Sequence, residues 1–322
     1  MFIFYVLFVI YEKMNYLCIM KRTHRASYSV AGQADGPSPF HFFISVTMTS
    51  AMTQMNDIQL YHGDCLGIMP TLADGSVDMI LTDLPYGCLN RGNEHAQWDR
   101  ELPLDALWGQ WKRIAKPNAA VVLFGQGLFS AKLMMSQPKM YRYSLVWDKV
   151  LKNGFLNANR MPLKQHEDIL VFYRSMPTYN PQMAKCEPHK RNHSRGDLKT
   201  QKNRCYGNFV ATPTIVTDEK YPASIVSVAK KHIKGQAYHP TEKPVALLEY
   251  LIRTYTNEGD TVLDCTMGSG STMVACANIN RKGVGIELIE EYYNIAVRRV
   301  REAVPQPKLD LLGVASSDPS NP

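Results

Sequence analysis

The stretch DTVLDCTMGSGSTMVACANINRKGVGIEL, residues 260–288, decides how this chain folds. A short apolar strand ends at Asp264 and Cys265. The chain then turns through Thr266, Met267, Gly268, Ser269 and Gly270 into a helical pattern over 271–280, opened by Ser271 and Thr272. A second strand at 282–288 carries Glu287 near its end. Glycines let the backbone turn tightly and let a ligand approach it. The free N–H groups at the start of the helix suit a carboxylate or a phosphate. Glu287, seventeen residues past Gly270, is placed to accept hydrogen bonds from ribose hydroxyls. The nicotinamide fingerprint is incomplete, because Met273 stands where its third glycine belongs, and the chain has no Gly-Lys dipeptide for a P-loop. Strand, loop, helix, strand and terminal acid together point to an adenosine-bearing cofactor.

The same alternation extends outward in both directions. IQLYHGDC (58–65) reads as a strand entering a turn, and VDMILTDLPYG (77–87) as a strand ending in a polar, Pro-containing loop. Continuous apolar runs of this kind mark strands covered on both faces. A helix is predicted over 104–116, stopped by Pro117-Asn118, then a strand over 119–126 and a helix over 128–136. Two strands follow at 141–149 and 167–174, a helix at 245–256 and a closing helix at 290–303. The expected fold is α/β, a doubly wound and mostly parallel sheet of Rossmann type.

Composition sets the outer bounds. The chain has 322 residues, 45% hydrophobic and 20% charged, which excludes collagen, coiled coil and wholesale disorder. The formal net charge of +7 permits a polyanionic partner without requiring one. Seven cysteines in a chain this long fit reduced thiols, and hence a cytoplasmic setting, better than a disulfide framework. The apolar start (1–10) meets Glu12 and Lys13 before it could span a bilayer, so no membrane anchor is expected. Patterned sequence begins at Asn56. Residues 1–55 are read as an extension outside the fold, with Met48, Met52 and Met55 as candidate starts, and 305–322 as a tail. Residues 175–235 break the rhythm: 185–204 hold seven Lys/Arg against two acids. An inserted basic run within a regular fold suits a phosphate backbone, with Lys190, Arg191, Arg195, Lys199, Lys202 and Arg204 as the contacts. A zinc site from Cys186, His189, His193 and Cys205 has permissive spacing only, and no metal is expected.

Four motifs carry a family resemblance when taken in order. They are Tyr61 to Cys65, Thr82-Asp83-Leu84-Pro85-Tyr86-Gly87, His239-Pro240-Thr241-Glu242-Lys243-Pro244, and Asp264 to Thr272. Together they resemble the S-adenosylmethionine-dependent amino-methyltransferases of DNA, in the permuted order of the beta class, over about residues 56–303. The resemblance implies a catalytic half (56–174), a target-recognition insertion (175–235) and a cofactor-binding half (236–304). It implies catalytic roles for Asp83, Leu84, Pro85 and Tyr86, with Tyr86 stacking on a flipped base. Asp64 and Cys65 would border the cofactor adenine, and His239, Thr241 and Lys243 its methionine end. Asp264, Met267, Gly268, Gly270, Ser271, Thr272 and Glu287 would complete the cofactor site. Leu84 departs from the usual Asp-Pro-Pro-aromatic pattern, yet still supplies the backbone carbonyl that serves there.

The implied activity is methylation of adenine N6 in double-stranded DNA, with the opening Asp favouring adenine over cytosine N4. The alternatives are an N4-cytosine enzyme, an RNA methyltransferase, a non-catalytic DNA-binding module and a nicotinamide oxidoreductase. Intact Asp83 and Tyr86 disfavour the third, and the missing glycine the fourth. A homodimer is compatible with the sequence, which specifies no oligomeric state.

Overall fold

Val77–Thr82 (β3) is apolar at nearly every position because the sheet buries both of its faces. Met79 and Leu81 enter one core cluster, and Val77 and Ile80 the other. The computed structural model describes residues 51–88, 99–191, 200–203, 207–210, 215–229 and 242–304, with the backbone alone at 190–191, 200–203 and 207–210. Before β3 lie Met52–Met55 (β1), Ile58–His62 (β2) and the short helix Cys65–Ile68 (α1). After it come Leu104–Ile114 (α2), Ala115–Gly125 (β4), Leu128–Ser136 (α3), Tyr141–Asn153 (β5) and Lys164–Phe172 (β6). Five strands follow: Ala184–Arg191 (β7), Thr200–Asn203 (β8), Gly207–Val210 (β9), Ile215–Lys220 (β10) and Ile225–Ser227 (β11). The order closes with Val245–Tyr255 (α4), Thr261–Asp264 (β12), Ser271–Asn278 (α5), Lys282–Glu287 (β13) and Glu290–Ala303 (α6).

The nine-stranded sheet runs β1-β2-β13-β12-β3-β4-β6-β5-β11. From β2 to β4 every pairing is parallel, while β6 runs antiparallel to both its neighbours. One face packs on α4, α5 and α6 through residues such as Leu251, Met273 and Ala296. The other packs on α1, α2 and α3 through Ile68, Trp108, Trp111 and Leu133. The expected doubly wound α/β architecture is present. β12, from late in the chain, lies beside β3, from early in it, with Leu263 opposite Ile80. The loops after those two strands therefore open at the same edge, where ligands bind in doubly wound sheets.

Two boundaries differ from the sequence reading. β1 belongs to the sheet: Met52 to Met55 pair antiparallel with Tyr61 to Ile58, and the Thr53 hydroxyl lies 2.8 Å from that of Tyr293 on α6. The fold thus starts before Asn56. The segment was missed because an edge strand is half exposed and shows no buried run. The insertion read as 175–235 also contributes a strand to the main sheet, since β11 pairs parallel with Val146–Asp148 of β5. The rest of that segment forms two-stranded ribbons, β7 with β10 and β8 with β9. The readings for 1–50 and 305–322 fall outside the described residues.

A chain starting at Met48 keeps β1, and one starting at Asn56 loses it. The shorter chain should be less stable by about 1–2 kcal/mol and melt roughly 2–8 °C lower by calorimetry. Equal melting temperatures would show β1 to be energetically idle.

Candidate active site

Burial and hydrogen bonding at the β12–β3 edge follow from one carboxylate. Asp264, 4% exposed, accepts the Thr82 hydroxyl at 2.8 Å on Oδ1 and the Thr272 hydroxyl at 2.6 Å on Oδ2. The Thr266 amide also donates to Oδ1, at 3.2 Å. Asp264 therefore ties the end of β3 and the first turn of α5 to the end of β12. Burial lifts its carboxyl to about 6, although the three donors pull the other way. Thr266 continues the tie, its hydroxyl donating to the Asp83 carbonyl at 3.1 Å.

The glycine loop is fixed at both ends. Gly268 N–H donates to Glu287 Oε2 at 2.9 Å, and Ile289 N–H to Oε1 at 2.8 Å. Burial pushes the Glu287 carboxyl up while these amides hold it down. Gly270 sits at φ 79°, and a Cβ there would lie 2.7 Å from Ala296 Cβ, so glycine lets α5 start against α6. From α6, Arg299 donates to the Ser269 carbonyl at 2.8 Å and pairs with Glu242 at 2.6 Å. Glu242 also accepts the Ser271 hydroxyl at 3.0 Å.

Asp64, Cys65, Asp83, Leu84, Pro85, Tyr86, Lys243, Asp264, Met267, Gly268, Ser271, Thr272 and Glu287 all line one cavity of about 660 Å³. Gly270 is absent from the wall and acts through packing. Asp64 caps α1, accepting the Leu66 amide at 2.9 Å. Leu84 is 3% exposed and anchors its loop in the core. Burial of the leucine side chain thus replaces the rigidity of a proline ring. His239, Thr241, Arg195, Lys199 and Arg204 fall outside the described residues. Lys190 and Arg191 lie on β7 and Lys202 on β8.

Two side chains of the site are already engaged within the protein. The Tyr86 ring stacks on Phe129, centroids 4.7 Å apart, and its hydroxyl donates to Asp83 Oδ1 at 3.0 Å. One ring face and the hydroxyl are therefore already engaged within the protein. The Lys243 ammonium is ion-paired with Asp83 Oδ2. Burial pushes the Asp83 carboxyl up, Lys243 draws it down, and Glu167 pushes it up again. Burial would depress Lys243, but Asp83 and Glu167 together raise it above its usual value. Glu167 and Lys149, neither foreseen as site residues, complete a buried chain of alternating charge with Lys243 and Asp83. The carboxyl of Glu167 is raised by burial and brought below its usual value by the two lysines. No motif in the sequence marks Glu167, because a strand-to-loop pairing 76 residues apart leaves no local pattern.

A family model described as DNA methylase, of the N6/N4 methyltransferase type, matches residues 77–298, more than half of the chain. The chain belongs to this DNA methylase family. Type II methyltransferase M.HpaI of Haemophilus parainfluenzae is 27% identical over 253 residues, 76% of the methylase and 74% of the relative. Type II methyltransferase M2.DpnII of Streptococcus pneumoniae is 26% identical over 277 residues, 79% of the methylase and 94% of the relative. Among solved structures, the PvuII cytosine-N4-specific DNA methyltransferase has a TM-score of 0.55 at 16% identity, covering 75% of the methylase and 86% of that chain. The M1.HpyAVI complex with S-adenosylmethionine (SAM) has a TM-score of 0.50 at 23% identity, covering 76% and 98%. The fold is that of Rossmann-like DNA methyltransferases, and the family depends on S-adenosylmethionine. Among the described residues no helix is long and apolar enough to cross a membrane.

The clamp makes a stability prediction for the methylase. Asp264→Ala leaves two buried hydroxyls without their acceptor and should cost about 2–4 kcal/mol, read from the denaturation midpoint. Because the folded-state carboxyl is raised, its contribution to stability is full below the unfolded value near ~4 and is lost as pH rises through about 6. Asp264→Asn should remove that part of the pH dependence. An unchanged midpoint in Asp264→Ala would exclude the clamp.

Proposed function

We propose that the methylase transfers a methyl group from S-adenosylmethionine to adenine N6 in double-stranded DNA, as a modification enzyme of the restriction–modification kind. The observation that carries the reading is the single cavity shared by the Asp83–Tyr86 loop and the glycine loop. The opening carboxylate of that first loop favours adenine. The name type II methyltransferase, borne by both relatives, supports the modification role.

The cavity wall fits the cofactor. Glu287 is an acid with further lone pairs for ribose hydroxyls, and the N-terminus of α5 offers backbone N–H groups to a carboxylate. Asp64 and Cys65 border the adenine. When bound, S-adenosylmethionine supplies a methyl group already activated on a sulfonium.

The remaining task is to prepare a poor nucleophile, because the exocyclic lone pair of the base is delocalised into its ring. The Asp83 carboxylate and the Leu84 carbonyl accept the two amino hydrogens and turn the nitrogen towards tetrahedral geometry. Positioning of this kind accounts for much of enzymic rate enhancement. The nitrogen forms its new bond to carbon as the sulfur–carbon bond breaks, and it loses one proton, for which Asp83 is the adjacent acceptor. The base must leave the duplex stack to reach this loop. Tyr86, backed by Phe129, offers its other ring face to the flipped base. Lys190, Arg191, Arg195, Lys199, Lys202 and Arg204 hold the phosphate backbone.

Nucleoside mass spectrometry of methylated mixed-sequence DNA tests the base. N6-methyladenine is expected, and N4-methylcytosine would reassign the substrate while keeping the mechanism. Asp83→Ala should abolish turnover and leave S-adenosylmethionine affinity nearly intact, and an active variant would sink the mechanism. Tyr86→Phe loses one hydrogen bond and should fall roughly 2- to 10-fold in kcat, while Tyr86→Ala should fall further. Leu84→Pro should be neutral or mildly activating.

Cofactor binding is tested separately. Glu287→Ala removes charge-assisted hydrogen bonds of about 1.5–3 kcal/mol and should weaken S-adenosylmethionine roughly 10- to 150-fold by calorimetry. Wild-type affinity would place the cofactor elsewhere.

A further inference from the structure

The charge chain beneath the Asp83 loop holds more acceptors than its donors satisfy. Asp83 Oδ1 takes the Tyr86 hydroxyl and Oδ2 takes the Lys243 ammonium, so both oxygens are engaged before any amine arrives. On β6, Glu167 Oε1 is paired with Lys149. Its Oε2 is buried, makes no hydrogen bond, and lies 3.4 Å from Lys243 Nζ. Buried polar atoms are ordinarily hydrogen-bonded, and an exception calls for a reason. Here the nearest donor is the ammonium already given to Asp83.

The surroundings make the lysine the movable part. Lys149 fixes Glu167 and lies 5.4 Å from the Trp147 ring centroid. The Asp83 backbone is held by Thr266. Lys243 Nζ lies 4.9 Å from the Phe124 ring centroid, and a ring face attracts a cation without fixing its direction. Two carboxylates and two ammoniums share the cluster, so passing Lys243 from one carboxylate to the other leaves its net charge unchanged.

We propose that Glu167 is a positioning residue for methyl transfer: it receives the Lys243 ammonium from Asp83 as the substrate amine arrives, freeing Asp83 Oδ2 to accept an amino hydrogen. The Tyr86 hydroxyl and the incoming N–H then replace the lysine as donors to the carboxylate. This rests on the role of Asp83 given above.

Glu167→Gln keeps the shape and removes the charge that attracts Lys243. The expected result is a fall in kcat of roughly 10- to 100-fold, with the KM for DNA and the calorimetric affinity for S-adenosylmethionine little changed. Glu167→Asp should restore part of the loss. The acid limb of the kcat profile should move to lower pH. The charged or titratable groups acting on Asp83 are Lys243, Glu167, Tyr86 and Asp264, and the variant removes an upward push while Lys243 still pulls down. In Lys243→Met the pull itself is gone, and the limb should move to higher pH.

In the Lys243→Met background, adding Glu167→Gln should change kcat less than about twofold, because no ammonium is left to receive. This double variant keeps the cluster neutral, with Asp83 and Lys149 as its remaining charges, so its comparison with Lys243→Met stands even if Glu167→Gln alone folds poorly. Wild-type kcat in Glu167→Gln, an acid limb that stays or rises in it, or independent losses in the double variant would each overturn the proposal. An active Asp83→Ala enzyme removes the reading beneath it, whereas an inactive one beside wild-type Glu167→Gln removes this proposal alone.

Discussion

The site depends on Asp264. A doubly wound sheet brings two loops to one edge, but backbone pairing stops where β3 and β12 end. Beyond that point Thr82, Thr266 and Thr272 all donate to one buried carboxylate, which sets the distance between the two loops. The chain reaches β12 some 180 residues after β3, so no local turn could hold them in place. A side chain must do it, and three donors make an ionised acid at 4% exposure tolerable.

The second constraint is electrostatic. Asp83 cannot stay charged in a buried loop without a cation nearby, and Lys243 is that cation. A lone lysine there would create the mirror problem. Glu167 and Lys149 extend the chain until the burden is shared among four groups. Partial satisfaction of such a network is costly in a resting protein, and the incomplete bonding of Glu167 is concentrated beside the loop assigned to chemistry.

Much of this was legible in the sequence, for stated physical reasons. β3 and β12 were read at or within a residue of their bounds because two-sided burial concentrates apolar residues, whereas β4 begins at Ala115, ahead of Pro117-Asn118, and not at 119. α3 and α6 were read at their observed bounds and α4 to within one residue, α4 because apolar residues recur at helical spacing. The glycine loop and Glu287 were read from residue type at strand ends, and Asp83 from the family resemblance. β1 and the ribbons β7–β10 and β8–β9 left no such trace. β1 and β10 are exposed or half exposed, and pairing with a single partner needs no buried pattern. Lys243 was found as a site residue, but its ion pair with Asp83 was not. Its direction is set by two carboxylates from distant strands, and only the folded sheet brings them together.

The pairing of β11 with β5 limits how much of the segment 175–235 can be replaced. Val146–Asp148 pairs with Ile225–Ser227, and Trp147 Nε1 donates to the Val228 carbonyl at 2.9 Å. Lys149 follows two residues after Trp147. The segment proposed to meet DNA is thus stitched to the strand that carries the catalytic charge chain. Replacing the whole of 175–235 would unpick that seam. The part that can be replaced with the pairing left whole ends before Ile225 and holds the two ribbons, β7 with β10 and β8 with β9.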